Sequence, residues 1–207
     1  AGPGKVAVWS DNLEDAGSDA KQIYHVSGRI RAYGGEGDDV IDLSGTSVAF
    51  VLEGGAGADT LTGGAGGGIL RGGVGDDDLT GGSGSDLIFG NEGGDTVHAG
   101  GGADLVFGDN GEMPEGFDLA DRHGFVRGLV TLTDGTDTLD GEGGDDILIG
   151  GGGIDTVDGG AGNDLVLGDG GLLSFNSPPV VTETNEGAEG FGDTLSGGSE
   201  DDLLYGG

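Results

Sequence analysis

A chain of 207 residues could hold one or two ordinary domains, but 54 glycines and no cysteine exclude an ordinary core, a disulfide framework and a thiolate metal site. The 39 acidic and 7 basic residues give a formal charge of -32, which excludes a nucleic-acid role through a basic patch and argues against anionic membranes. There is no initiator Met, no signal peptide and no apolar run long enough to span a bilayer, so the expectation is a piece cut from a longer protein.

Residues 1–33 are the least repetitive. Val6–Trp9 and Gln22–Val26 read as two short strands. Trp9, the only tryptophan, is expected to cover the open end of a repeat stack. Gly34–Asp42 then reads GGEGDDVID, the first full nine-residue phrase, with Asp39 at its sixth place. The next phrase, Leu43–Val51, keeps the length but has Val48 where the carboxylate is expected, and Leu52 and Glu53 follow as two added residues. This turn is expected to hold no ion.

Gly54 to Phe107 repeats the phrase six times without a gap. Glycine dominates the first, second and fourth places. The sixth places hold Asp59, Gly68, Asp77, Asp86, Asp95 and Asp104, and the eighth hold Leu61, Leu70, Leu79, Ile88, Val97 and Val106. After Phe107 the pattern breaks at Gly108–Gly111 and resumes around Asp137, a span of one phrase plus an insert. Asp146, Asp155 and Asp164 mark three further copies. A second break opens at Gly168–Gly171 and closes around Asp193, again one phrase plus an insert, and Asp202 marks the last copy. The two inserts, near 112–133 and 172–190, hold most of the apolar residues outside the repeats. Removing them restores the register of the phrase. Partial alternation over Phe125–Thr133 and Val180–Thr184 predicts β-hairpins.

So much glycine could also read as a flexible tract, but a linker does not hold a fixed register. Carboxylates recurring at one register place point to hard divalent cations with oxygen ligands. The nonapeptide resembles the repeats-in-toxin (RTX) family. That resemblance implies an all-β fold: a right-handed parallel β-roll of about seven 18-residue coils, with the two hairpin-like inserts. Residues 34–207 would form the roll and 1–33 a cap. Each phrase divides into a six-residue turn and a three-residue strand, of which the middle residue alone is expected to face inward.

Turns on the same side lie two phrases apart. Continuing that alternation sets Asp59, Asp77, Asp95, Asp137, Asp155 and Asp193 on one edge. The other edge carries Gly68, Asp86, Asp104, Asp146, Asp164 and Asp202. Both inserts precede carboxylates of the first edge, so they should emerge on one side, two coils apart. The resemblance further implies several Ca²⁺ ions, each between two stacked turns and held by sixth-place carboxylates, Asp39 included, with backbone carbonyls. Asp109 and Asp169 open the inserts and read equally as further ligands or as turn residues.

Signatures of zinc-helix, serine-elbow and phosphate-loop enzymes are absent from the sequence. His25, His98 and His123 are scattered, with His98 at an outward ninth place. The expectation is not an enzyme; any catalytic domain of the parent would lie outside these residues. Two function classes remain: a calcium-responsive structural module of a secreted or cell-surface protein, or an adhesion module whose inserts bind a protein or glycan partner. The first is what the resemblance to type I secretion substrates implies.

Overall fold

The computed structural model describes residues 5–7, 23–25, 28–112, 125–129, 135–174, 180–184 and 192–206. Trp9 and its expected capping role lie outside them. Short apolar runs set off by glycine-rich turns cannot sustain helices, and the described residues form strands and turns alone. Lys5–Ala7 pairs antiparallel with Ile23–His25.

Two parallel sheets make up the roll, and the chain contributes strands to them alternately. The first sheet has eight strands: Ile30–Glu36, Phe50–Ala56, Gly68–Val74, Leu87–Glu92, Leu105–Phe107, Ile147–Gly151, Leu165–Asp169 and Leu203–Tyr205. The second has seven: Val40–Asp42, Thr60–Thr62, Asp78–Gly82, Thr96–Gly100, Thr138–Asp140, Thr156–Asp158 and Thr194–Ser196. Stacked turns are 18 residues apart in the unbroken stretch, 42 across the first insert and 38 across the second. Both inserts therefore lengthen the chain between turns and leave the strand register intact.

Eighth-place side chains from both sheets meet in one file. Leu61, Leu70, Leu79, Ile88, Val97, Val106, Leu139, Leu148, Val157 and Val166 are each no more than 1% exposed. The file loosens at the last coil, where Leu204 is 40% exposed.

The degenerate turn differs from the expectation. Leu52, not Phe50, stands at the eighth place, paired with Ala32 and Leu70, while Phe50 pairs with Ile30 and Gly68 at the sixth. The two extra residues thus lie in the turn ahead of Phe50. Val48 does not take the sixth place. The reason is volume: Leu52 fits the inward file and is fully buried, whereas the Phe50 ring fills space at the edge that a carboxylate fills elsewhere.

Burial per strand also exceeds the single inward residue expected from the phrase. From Leu87 to Leu167 the first-sheet strands are apolar at the seventh and ninth places too, and these outward residues are also buried. Leu87, Phe89, Leu105, Phe107, Ile147, Ile149, Leu165 and Leu167 form a second core with Leu173. The Phe89 and Phe107 rings stack 5.1 Å apart. Leu173 belongs to an insert, and the inserts explain the cover. Asn110–Glu112 pairs with Phe125–Leu129, Gly171–Ser174 with Val180–Thr184, and Phe125–Leu129 with Gly171–Ser174. The two hairpins thus join as one four-stranded antiparallel sheet. Both leave after a first-sheet strand and return into a second-sheet strand, from one edge. On the second sheet the seventh and ninth places are polar, as at Thr60, Thr62, Thr156 and Asp158, except for Val40 in the first strand, which is 58% exposed.

Leu173→Ala should therefore cost about 2–5 kcal/mol, as for other buried leucines, whereas Leu203→Ala, at 48% exposure, should fall within about 0.5 kcal/mol of the parent. Urea denaturation in calcium buffer measures both; equal effects would contradict the cover.

Candidate functional site

The turns stack as tightly as the strands, because glycine allows it. Gly55 and Gly73 have φ of +127° and +129°, a region side chains with a Cβ rarely enter. A Cβ on Gly73 would also strike the carbonyl of Gly55 in the coil before.

That close stacking produces two columns of aspartates. On the first edge each sixth-place N–H donates to the carboxylate of the next coil: Asp39 to Asp59 (2.7 Å), Asp59 to Asp77 (2.8 Å) and Asp77 to Asp95 (2.8 Å). The column continues from Asp95 to Asp137, Asp137 to Asp155 and Asp155 to Asp193. On the second edge Gly68 donates to Asp86 (2.6 Å), Asp86 to Asp104 and Asp104 to Asp146. Asp146 then donates to Asp164, and Asp164 to Asp202. Both columns follow the alternation counted from the repeats, across both inserts.

Each bond uses Oδ1. The Oδ2 atoms of Asp39, Asp59, Asp77, Asp86, Asp95, Asp164 and Asp193 are buried and have no hydrogen-bond partner. They converge with backbone carbonyls. Asp59 Oδ2 and the Gly72 carbonyl oxygen both lie within 3.0 Å of the point where a Cβ on Gly54 would stand. Asp77 Oδ2 and the Gly90 oxygen do the same at Gly72, and Asp86 Oδ2 with the Ala99 oxygen at Gly81. First-place glycine thus leaves open a cradle lined by oxygens. Among the described residues no Lys or Arg pairs with Asp59, Asp77, Asp86 or Asp95. Buried oxygens without a donor demand a proton or a cation, and an oxygen-only set of this kind suits Ca²⁺ better than Mg²⁺ or softer metals.

Burial sets the electrostatics. It pushes Asp86 and Asp95 up to about 7 and Asp77 to about 6, against the opposing pull of the backbone hydrogen bonds. Asp59 and Asp164 are raised for the same reason.

Asp109 and Asp169 stand outside the columns, at second places of first-edge turns. Asp109 is buried and accepts from the N–H of Gly152 at 2.5 Å. Asp169 pairs in register with Gly151. Burial and then the charge of Asp193 raise it, and its Oδ2 has no hydrogen-bond partner.

Two features escaped the sequence reading. Fifth-place side chains form an outer ladder in the opposite sense: Asp38 accepts from Ala58 N–H, Asp76 from Gly94 and Asp145 from Asn163. The acidic doublets 38–39, 76–77 and 145–146 were its signal. The other is Phe50, whose ring lies within 3.0 Å of the points where a Cβ on Gly63 or Gly68 would stand. It sits where other turns place a carboxylate. Gly68 therefore does not mark a turn merely awaiting its aspartate.

The family model of the RTX calcium-binding nonapeptide repeat matches residues 31–45, 51–79, 80–112, 140–171 and 188–207, more than half of the chain. No curated protein and no solved structure matches the chain.

Two outcomes are expected. Gly68→Asp alone should add no calcium and should cost about 1–3 kcal/mol through overpacking against Phe50, whereas Phe50→Ala with Gly68→Asp should gain calcium; a calorimetric gain from the single change would refute the plug. The second outcome concerns pH. Carboxyls whose folded pKa is raised above the unfolded value of about 3.9 contribute stability below that value and lose it as pH rises towards 7. In chelator the chain should therefore hold more β structure at pH 5 than at pH 8 by circular dichroism, and the reverse order would contradict the buried columns.

Proposed function

The chain belongs to the RTX calcium-binding nonapeptide repeat family, and from that premise we propose that it is the calcium-folded scaffold module of a larger secreted or cell-surface protein. The observation that carries this reading is that the buried Oδ2 atoms of Asp39, Asp59, Asp77, Asp95 and Asp193 on the first edge, and of Asp86 and Asp164 on the second, have no donor. Asp39, Asp59, Asp77, Asp95, Asp137, Asp155 and Asp193 would hold ions on the first edge, and Asp86, Asp104, Asp146, Asp164 and Asp202 on the second. Asp169 would add an oxygen beside Asp193. Bound calcium supplies positive charge to oxygens that otherwise repel one another. The chain supplies the rest: glycines that open the cradle, N–H groups that fix Oδ1 from Asp59 onward, and carbonyls that complete the oxygen set.

Coupling to folding follows from the composition. The inward file, even with the second core over the central strands, does not offset the ordering of a chain so rich in glycine, and unneutralised carboxylates would oppose coil stacking further. Binding free energy is then folding free energy. In this reading the chain stays open at cytosolic calcium and closes outside the cell, where it serves as a secretion and structural scaffold. Any catalytic domain of the parent protein would lie outside these residues.

The joining of both inserts in one sheet favours a second reading, in which that sheet also presents a surface to a protein or glycan partner. Replacing insert residues away from Leu173 would abolish such binding while leaving the calcium response unchanged.

The first reading is tested by far-UV circular dichroism: coil in chelator, β with excess Ca²⁺, and no equal response to Mg²⁺. A β spectrum indifferent to chelator at neutral pH would overturn it.

A further inference from the structure

The second sheet carries, on its outward face, a cluster that the calcium columns do not use. His98 stands at the ninth place of its strand, and Asp140 is its register partner in the next coil. The first insert separates the two in sequence, yet the roll sets them side by side. Glu142 lies two residues beyond Asp140, at the second place of the following turn. His98 Nδ1 is 3.6 Å from Glu142 Oε1 and 3.9 Å from Asp140 Oδ2. One donor atom from each of the three side chains falls within 4.8 Å of the others.

The geometry points to a site for a first-row transition-metal ion of the Zn²⁺ class, held by His98, Asp140 and Glu142 and separate from the calcium columns. The donor set decides the class. An imidazole nitrogen with two carboxylates suits Zn²⁺, Co²⁺, Ni²⁺ or Cu²⁺, whereas Ca²⁺ takes oxygen alone. Two ligands at about 2.1 Å in tetrahedral array stand roughly 3.4 Å apart, so the observed separations need only small side-chain rotations to close. Three protein ligands on an exposed face leave the fourth position to water.

The cluster is also held in place. Asp140 Oδ1 accepts from the N–H of Glu142 at 3.0 Å, which leaves Oδ2 towards His98. Glu142 has a φ of +62° where the stacked turns have Gly100 at +103° and Gly160 at +94°. A glutamate thus occupies a place that otherwise favours glycine, at a cost in backbone strain. Asp158, the register partner of Asp140 in the next coil, adds negative charge that favours a cation here.

The test uses the full chain saturated with Ca²⁺, titrated with Zn²⁺ by calorimetry and with Co²⁺ by visible absorption. His98→Gln and Glu142→Gly are compared with the parent; the second restores the glycine of the neighbouring turns and should not harm folding. The expected result is one equivalent of Zn²⁺ fewer in each variant, with the calcium response unchanged and the matching Co²⁺ absorption lost. Equal Zn²⁺ uptake by the parent and both variants, or no Zn²⁺ uptake by the Ca²⁺-saturated parent, would overturn the assignment.

Discussion

The roll depends on carboxylate oxygens that the chain itself does not satisfy. Oδ1 of each sixth-place aspartate from Asp59 onward is fixed by an N–H from the neighbouring coil, whereas the Oδ2 atoms of Asp59, Asp77, Asp86 and Asp95 are buried among carbonyls with no donor. Desolvating a carboxylate is costly, so such an atom selects for a proton or a cation. The backbone turn, the glycine at the first place and the spacing of the coils all serve that one contact.

The two sheets divide the remaining work. The inward file is thin, one aliphatic side chain per strand, and binds the sheets together along the axis. The outward face of the first sheet is apolar over its central strands and is closed by a sheet built from both inserts. The second sheet faces outward with threonines, acids and His98. One face thus gains a second core, while the other stays polar and able to carry the His98 cluster. The second-edge column is closed at its first coils by Ile30 and Phe50, apolar residues in the places of aspartates. The carboxylates of that column begin only at Asp86.

Much of this was legible in the repeats. A nine-residue phrase with one strand per copy assigns alternate copies to opposite edges, and counting alone placed Asp137 after Asp95 and Asp193 after Asp155 despite the inserts. The eighth-place file was equally legible, because a three-residue strand has one side chain on its inner face. The apolar seventh and ninth places of alternate phrases were visible too, as LIF, LVF, ILI and LVL. Their meaning was not, since an apolar outward stripe is buried only if something covers it.

The sequence by itself therefore determined the period, the inward file and which aspartates share an edge. Each follows from local chain geometry repeated at a constant interval. Tertiary structure alone decided that Phe50 takes a carboxylate's place, that the two hairpins pair to cover the first sheet, and that His98 meets Asp140 and Glu142. These outcomes rest on competition for the same volume between residues of different coils. A ring from one turn and a side chain from the next cannot both fill one space, and spacing along the chain does not say which of them is there.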